Sequence, residues 1–362
     1  MADREPLRQA RRIVIKLGSS TLAGDSSVYA RLAEAIHAAR EEGRHVLLVS
    51  SGAIALGTRK LGFRARPKEM AKLQAAAAAG QSLLMRAYEE AFGARSIPVA
   101  QVLLTHADLA DRVRANNARA ALGALLEAGA VPILNENDSV SVEEIKFGDN
   151  DQLAAMVTPL ASADLLILLS DVDGLLDEAG NRIPFVEDVA DATRYVRKST
   201  AGVGTGGMTS KLEAARRATL AGADVVVADA RRPSIIEEVL AGKDVGTHFT
   251  ASRAPLSAKK HWIAFTLRPR GDIVLDPGAA DAVRSRGKSV LSIGVLGIRG
   301  DFRSGDAVRL LDHNAVEIGR AVVRCAAEEA VLVAGKAHDE LPEARAPLAE
   351  LIHRDDMVIW KA

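Results

Sequence analysis

The sequence predicts an α/β protein: a three-layer αβα sandwich with a mainly parallel open sheet, followed by a small β-barrel-like domain. Apolar runs of strand length alternate with helical periodicities from residue 13 to residue 240, and this alternation is typical of a parallel sheet that helices cover on both faces. After residue 270 the apolar runs are shorter and are separated by Gly and Asp turns, which is typical of small β domains. We therefore expect a first domain at residues 1–255, a linker at 256–269, and a second domain with its C-terminal tail at 270–362.

Length and composition agree with this organisation. The chain has 362 residues, which suggests two domains at ~150 residues each. It is 48% hydrophobic but only 3% aromatic, so the core is expected to be aliphatic, and 47 basic residues balance 47 acidic ones, which gives no overall attraction to nucleic acid or anionic membranes. The single cysteine, Cys325, fits a reducing compartment. The polar start and the lack of an apolar run of ~18 residues predict a cytoplasmic protein without a membrane partner.

Six apolar runs predict the strands of the first domain, at 13–17, 45–49, 97–104, 131–134, 164–169 and 224–228. The helices between them are predicted from helical spacing or small-residue starts, at 28–39, from 53 onward, and at 68–92, 117–127, 152–160, 212–221 and 233–240. Asn116 is the expected N-cap of the helix at 117–127. Residues 140–147 are expected to form a hairpin before the next helix.

Polar side chains collect where the predicted strands end. They are Lys16, Ser51, the run from Asn135 to Asp138, Ser170 and Asp171. Open α/β sheets bind their ligands in a crevice outside the carboxyl ends of the strands. We therefore expect these side chains to share one site at that edge of the sheet.

A glycine-rich stretch at 202–207 precedes a helix that is predicted to begin at Thr209 or Ser210, both good N-caps. Lys211 would then lie in the first turn, where the helix dipole prefers an acid, so a bound anion would explain the lysine. We interpret the stretch as a phosphate cradle, and the alternative is a flexible surface loop. It is not a dinucleotide fingerprint, because a polar segment precedes it, and it is not a P-loop, because Ser210 separates Lys211 from the glycines.

This set of residues suits phosphoryl transfer, which depends on positioning and charge neutralisation. Lys16 and Lys211 could hold the transferring phosphoryl group from opposite sides. Asp151 between them would keep both ammonium groups charged and aimed. Asp138, Asn150 and Ser51 suit a small zwitterionic substrate. We expect Mg²⁺ to be bound mostly to nucleotide phosphates and water, and we assign it no protein ligand.

Five motifs, spread in order over the first domain, resemble the amino-acid kinase superfamily and, within it, the glutamate 5-kinase family. They lie at 14–20, 49–57, 135–138, 148–151 and 204–211. The resemblance implies an amino-acid kinase fold and ATP-dependent phosphorylation of the γ-carboxylate of L-glutamate to L-glutamyl 5-phosphate and ADP, the first step of proline biosynthesis. It also implies feedback inhibition by proline and a homo-oligomer, either a dimer or a tetramer.

The resemblance also implies roles for individual residues. Lys16 and Lys211 would stabilise the transferring phosphoryl group, while Ser51, Asp138 and Asn150 would bind glutamate with support from Asp149. The residues implied in nucleotide binding are Lys16, Ser170, Asp171, Thr205, Gly206, Gly207, Met208, Thr209, Ser210 and Lys211. Ser170 stands where many members of the family have threonine, and it keeps the hydroxyl.

In the second domain, residues 300–308 resemble the PUA domain, which follows the kinase domain in many bacterial members of the family and elsewhere binds RNA. Residues 270–340 hold 10 Lys and Arg against 11 Asp and Glu. Because RNA binding requires a basic footprint, we expect a regulatory or assembly role and no RNA partner. The strands of this domain are predicted at 271–275, 289–295, 307–311, 321–324, 330–333 and 357–360.

Two alternative functions remain open from the sequence. The chain could be another member of the superfamily, acting on acetylglutamate, aspartate, carbamate or a nucleotide. It could also be an RNA-binding protein in which the kinase-like domain serves as a scaffold, although the intact lysine pair argues against this.

Overall fold

The computed structural model describes residues 4–18, 22, 27–140, 149–195 and 205–360, and for residues 149, 205 and 206 it describes the backbone alone. The chain divides into two units, Met1–Pro255 and Leu256–Ala362. Within the described ranges, no helix combines the length and the apolar character that crossing a lipid bilayer requires.

A sheet of eight strands forms the centre of the first unit. The strands are β1 (Arg12–Leu17), β2 (His45–Val49), β3 (Val99–Leu104), β4 (Val131–Glu136), β5 (Leu165–Ser170), β6 (Phe185–Val186), β7 (Asp224–Asp229) and β8 (Thr247–Phe249). Their order across the sheet is β3-β4-β2-β1-β5-β7-β8-β6. All neighbours are parallel except β7 and β8, which confirms the predicted mainly parallel sheet.

Helices cover both faces of this sheet and enclose two aliphatic cores. They are α1 (Glu5–Gln9), α2 (Ser27–Glu41), α3 (Ala53–Lys60), α4 (Met70–Gly93), α5 (His106–Ala110), α6 (Arg112–Glu127), α7 (Asp149–Leu160), α8 (Val189–Ala192), α9 (Thr205–Leu220) and α10 (Ile235–Leu240). Helices α1 to α4 and α10 contribute to one core, and α5 to α9 contribute to the other. The αβα sandwich is therefore present as predicted.

Alternation along β1 decides which side of the sheet carries the candidate site. Ile13, Ile15 and Leu17 belong to the core beneath α2 and α4, whereas Val14 belongs to the core beneath α7 and α9. Because successive side chains of a strand point to opposite faces, Lys16 lies on the same face as α7 and α9.

The second unit contains a separate sheet and a short strand pair. Its strands are β9 (Pro269–Leu275), β10 (Val290–Leu291), β11 (Val295–Gly300), β12 (Ala307–Leu311), β13 (Glu317–Val322), β14 (Glu350–Ile352) and β15 (Met357–Ile359), and its helices are α11 (Ala258–His261), α12 (Pro277–Arg286) and α13 (Ala327–Val333). The five-stranded sheet has the order β11-β9-β12-β13-β15, and β10 pairs with β14. The last strand, β15, therefore forms one edge of this sheet by pairing with β13.

The structure differs from the sequence predictions at several elements of the second unit. Residues 256–269, expected as a linker, contain α11 and a π-helical turn over Trp262–Thr266, in which Ile263 and Phe265 are buried. The strand expected at 330–333 is part of α13, whose first turn is capped because the Glu329 carboxylate accepts a hydrogen bond from the Ala326 N–H at 2.8 Å. The strand expected at 289–295 is interrupted by a 3-10 turn, Ser292–Gly294.

The first unit differs from the predictions at two helix starts. Helix α6 begins at Arg112 and not after Asn116, because the Asp111 side chain accepts hydrogen bonds from the N–H groups of Val113 and Arg114, both at 2.9 Å. Helix α9 is already helical at Thr205, so the prediction that it begins at Thr209 or Ser210 was wrong. The hairpin expected at 140–147 lies outside the described residues, apart from residue 140.

Candidate active site

Four central strands end at one edge of the sheet and carry the strand-end residues that sequence analysis selected. In the parallel register, Lys16 of β1 aligns with Val49 of β2 and with Leu168 of β5. Ser50 and Ser51 follow β2 directly, and Ser170 ends β5. Asn135 lies near the end of β4, and α7 begins above this edge at Asp149. The site therefore lies at the carboxyl edge of the sheet.

Asp151 lies between the two lysines. Its carboxylate is 2.5 Å from Lys16 Nζ through Oδ1 and 3.3 Å from Lys211 Nζ through Oδ2. Asp151 is only 1% exposed, and Lys16 and Lys211 are 6% and 8% exposed. We call these three residues the lysine bridge. Together they carry one net positive charge at a buried position, which favours the binding of an anion.

Burial is the main influence on the titration of Lys16. It lowers the pKa of this lysine below the ordinary value, and the neighbouring charge of Lys211 acts in the same direction. The Asp151 carboxylate opposes both effects, since it attracts the ammonium group and accepts a hydrogen bond from it. Asp151 thus opposes the loss of charge at the buried ammonium group.

A second polar group surrounds Asn150, the residue that precedes Asp151 in α7. The Asn150 amide nitrogen lies 3.0 Å from the Ser50 carbonyl oxygen, 2.8 Å from Ser51 Oγ and 3.1 Å from Asn135 Oδ1. Among the described residues, none donates a hydrogen bond to the buried Asn150 Oδ1. Because a buried polar atom needs a partner, this oxygen is suited to accept a hydrogen bond from a ligand.

Residues 50–52, which we call the acceptor loop, turn sharply from β2 into α3. Gly52 has φ = 98°, a left-handed conformation that glycine adopts without the steric cost of a Cβ. The Ser50 N–H donates to the Leu134 carbonyl at 2.8 Å, so the loop begins while still attached to β4. This turn brings Ser51 Oγ beside Asn150.

The third group lies at the ends of β5 and β7. Ser170 Oγ donates to Asp171 Oδ1 at 3.0 Å, and Arg231 Nη2 donates to the Asp171 main-chain oxygen at 3.1 Å. Arg231 is also paired with Asp229 at 2.6 Å. The side-chain hydrogen bond to Asp229 raises the pKa of Arg231. Asp171 itself is exposed, so its carboxylate is open to a ligand.

Helix α9 carries the described part of the predicted phosphate cradle. Because the helix includes Thr205, Lys211 lies in its second turn and not in its first. Lys211 Nζ also donates to the Gly207 carbonyl oxygen at 3.4 Å. Gln152 Nε2 donates to the Ser210 carbonyl oxygen at 3.1 Å, which joins α7 to α9 next to the lysine bridge.

The remaining predicted residues are placed as follows. Asp138 is buried in the turn after β4, and Met208 packs against the core beneath α9. Asp149 starts α7, but its side chain is outside the described part of the chain, as is the side chain of Thr205. The glycines at 202 and 204 lie outside the described residues.

Sequence analysis missed several residues that contact the site. They are Gln152, Asp229 and Arg231, described above, and Tyr88, whose hydroxyl lies 2.9 Å from Ser50 Oγ. Asp229 ends a strand at the same edge as Ser170, so its position was the available signal. Tyr88 and Gln152 lie inside helices, where a lone polar group gives no local sign of its partner. Asn135 was expected at this edge as part of the run to Asp138, but it was given no individual role.

These features define the class of protein. A buried lysine bridge with a net positive charge, at the ligand-binding edge of a parallel sheet, is suited to holding phosphate oxygens. A second polar group, around Asn150, lies beside it. The protein is therefore a phosphotransferase of the α/β class.

Comparison with known proteins identifies the family. The model of the amino acid kinase family matches residues 11–229, and that of the PUA domain matches residues 271–343. The chain belongs to the amino acid kinase family and carries a C-terminal PUA domain, which confirms the resemblance stated above.

Curated relatives match over nearly the whole chain. Proteins named glutamate 5-kinase from Geobacter metallireducens and Thermus thermophilus are each 44% identical to it, with 98% of this chain and 98% of the relative covered. A glutamate 5-kinase from Cupriavidus pinatubonensis is 43% identical, with 98% and 99% covered.

Proposed function

We propose that this chain transfers the γ-phosphoryl group of ATP to the γ-carboxylate of L-glutamate, giving L-glutamyl 5-phosphate and ADP, the first step of proline biosynthesis. The observation that carries the proposal is that consecutive residues of α7 serve two different groups. Asp151 joins the two lysines, while Asn150 holds the acceptor loop. The names of the relatives support glutamate as the acceptor.

On the donor side, an oxygen of the glutamate γ-carboxylate attacks the γ-phosphorus, and the bond from that phosphorus to the β–γ bridging oxygen breaks. The bridging oxygen leaves with ADP. Lys16 and Lys211 neutralise the phosphoryl oxygens from two sides during the transfer. Asp151 does not touch the substrate in this scheme but keeps both ammonium groups charged and oriented.

On the acceptor side, Ser51 and Asn150 bind the α-amino and α-carboxylate groups of glutamate. Asn150 Oδ1 accepts a hydrogen bond from the substrate ammonium group, and Ser51 Oγ donates one to a carboxylate oxygen. Asp138 and Asp149 add negative charge on this side, which favours the ammonium group over a second anion.

On the nucleotide side, we assign Ser170, Asp171 and the start of α9 from Thr205 to Lys211 to ATP. In the described parts of the chain, no three His, Cys, Asp or Glu side chains are grouped so as to hold a metal ion. Asp151 is already paired with two lysines. We propose that Mg²⁺ arrives with ATP, bound to its phosphates and to water.

Proline carries the same α-carboxylate and a ring ammonium group. We propose that it inhibits the enzyme by competing for Ser51 and Asn150. We further propose that the protein is cytoplasmic, since its buried free cysteine suits a reducing compartment. We also propose that it is a homo-oligomer, a dimer or a tetramer, as the family resemblance implies.

One assay tests the proposed reaction. The protein is incubated with ATP, Mg²⁺ and one acceptor at a time, and acyl phosphate is trapped with hydroxylamine. Glutamate should give product, whereas acetylglutamate, aspartate and carbamate should not, and ADP release with UMP, measured separately, should stay at background. Lys211→Ala should keep the melting temperature within a few degrees of the wild type and lose turnover by at least about 100-fold. A wild-type enzyme without glutamate-dependent product would contradict the proposal, and an active Lys211→Ala variant would remove Lys211 from the mechanism.

A further inference from the structure

A buried hydroxyl group lies directly behind the acceptor loop. Tyr88, in the last quarter of α4, is completely buried, and its hydroxyl oxygen is 2.9 Å from the Oγ of Ser50, which is completely buried as well. Ser50 Oγ donates to the Ser51 carbonyl oxygen at 3.3 Å. A serine hydroxyl has one hydrogen, so Tyr88 is the donor in its bond with Ser50. The three groups form a chain from Tyr88 through Ser50 to Ser51.

The surroundings of Tyr88 preserve this arrangement. Burial raises the pKa of Tyr88 above its ordinary value, so the hydroxyl keeps its proton over the working pH range. The ring packs edge-on against Tyr29 at 5.0 Å and Phe92 at 5.9 Å between centroids, and such pairs restrict the ring to one position. The Tyr88 hydroxyl group therefore stays protonated and stays directed toward Ser50.

Ser50 is held on three sides, and each tie leads to a different element. Its N–H is bonded to Leu134 of β4, its carbonyl oxygen accepts from Asn150 of α7, and its hydroxyl is held by Tyr88 of α4. The Asn150 amide also bonds to Ser51 Oγ. A shift of Ser50 would therefore move both groups that face the acceptor.

Helix α4 also supports the other end of the acceptor loop. A Cβ added to Gly80 of α4 would lie 1.8 Å from the carbonyl oxygen of Ala53, the residue that follows Gly52. The backbone of α4 thus touches the first turn of α3 directly. One helix contacts the chain on both sides of Ser51, at Ser50 through Tyr88 and at Ala53 through Gly80.

We propose that Tyr88 is a positioning residue of the acceptor site, which holds Ser50 so that Ser51 Oγ and the Asn150 amide face the amino-acid substrate. Tyr88 is fully buried and acts only through Ser50. The lysine bridge is carried by β1, α7 and α9 and the nucleotide side by β5 and α9, so Tyr88 of α4 belongs to neither group. The inference deepens the proposed function and rests on it for the identity of the acceptor.

Steady-state kinetics of Tyr88→Phe, Ser50→Ala and the double variant test this inference. Tyr88→Phe removes one hydrogen bond and should raise KM for the acceptor about fivefold, and Ser50→Ala, which also removes the bond to the Ser51 carbonyl oxygen, should raise it at least as much. In both variants kcat and KM for ATP should stay within about twofold of the wild type. Because both substitutions delete the same bond, the double variant should be no worse than Ser50→Ala alone. Tyr29→Phe, which deletes a hydroxyl from the neighbouring ring, is the control and should leave KM unchanged.

Three results would overturn the inference: an unchanged acceptor KM in folded Tyr88→Phe, equal changes in kcat and in both KM values, or multiplication of the two single effects in the double variant. If Tyr88→Phe does not fold, Ser50→Ala reports on the same bond, and failure of both to fold would show that the bond is only structural. A wild-type enzyme that prefers a different acceptor would contradict the proposed function but not the role of Tyr88. In that case, KM for the preferred acceptor is compared with kcat and with KM for ATP in the same variants.

Discussion

Replacing Asp151 with asparagine tests the lysine bridge most directly. The substitution keeps the shape of the side chain but removes the only negative charge of the bridge. Opposite charges about 3 Å apart attract by about 5 kcal/mol at an effective dielectric constant of about 20, and Asp151 has contacts of this kind at 2.5 and 3.3 Å. Part of that attraction offsets the desolvation of the charges, so the net effect is smaller.

Removal of one partner from a buried ion pair costs about 3–5 kcal/mol. We expect Asp151→Asn to lose about 3 kcal/mol of unfolding free energy, the lower end, because the amide oxygen can still accept a hydrogen bond from one lysine. This is a large fraction of a typical total of about 5–15 kcal/mol. Turnover should fall by about 100-fold or more, since both lysines lose their orientation.

Chemical denaturation and the hydroxylamine assay measure the two effects, and Asp164→Asn is the matched control. Asp164 accepts hydrogen bonds from the N–H groups of Arg11 and Arg12 at the opposite edge of the sheet, both at 2.8 Å, so its loss should spare turnover. Sulfate should stabilise Asp151→Asn more than the wild type, because it supplies the missing negative charge. If Asp151→Asn keeps the stability and the kcat of the wild type, Asp151 does not hold the lysines and the reasoning is refuted.

Two further predictions concern packing and pH. Gly80→Ala should destabilise the first unit by more than about 3 kcal/mol, because the new methyl group would overlap the Ala53 carbonyl oxygen. Gly93→Ala in the same helix is the control. A Cβ at Gly93 meets nothing within 4 Å, so this substitution should change the unfolding free energy by less than about 1 kcal/mol. An equal effect of both substitutions would contradict the close approach. For pH, burial lowers the pKa of Lys16 from its ordinary 10.5, so the active ammonium form is lost as pH rises, and kcat/KM for ATP should decline at a pH below 10.5. Lys16→Arg should abolish that decline, because arginine stays charged, and an unchanged alkaline limb in this variant would assign the decline to another group.

The sheet and its binding edge could be predicted because their physical causes are local. The run from Ile13 to Leu17 is long enough to cross a sheet and too apolar to be exposed, and Lys16 near its end can be accommodated only at a polar edge. Ser170 likewise ends an apolar run, at the last residue of β5, and its hydroxyl was therefore expected at the same polar edge. Since parallel strands place their carboxyl ends together, strand identity alone brought the site residues to one edge.

The helix starts could not be predicted in the same way, because several residues are equally good caps. Asp111 and Asn116 both have side chains that can accept from the backbone, and only the folded structure shows that Asp111 does so. Thr209 and Ser210 are good caps that lie inside α9, where Gln152 contacts the Ser210 backbone instead. Tertiary contacts of this kind decide between equivalent local signals.

The start of α7 explains how one short segment can serve two substrates. Consecutive residues of an α-helix are turned by about 100° from one another, so Asn150 and Asp151 face different directions from almost the same point. Asn150 faces the acceptor loop, and Asp151 faces the lysines. A movement of this helix end would shift both substrates together and keep the distance between them, whereas a movement of the acceptor loop would change that distance. Phosphoryl transfer loses rate steeply when the reacting atoms are misplaced by about 1 Å. The Leu134 bond and the close contact at Gly80 still hold the acceptor loop when the Tyr88 bond alone is lost, so we expect that loss to weaken acceptor binding and to leave the transfer distance, and with it kcat, nearly unchanged.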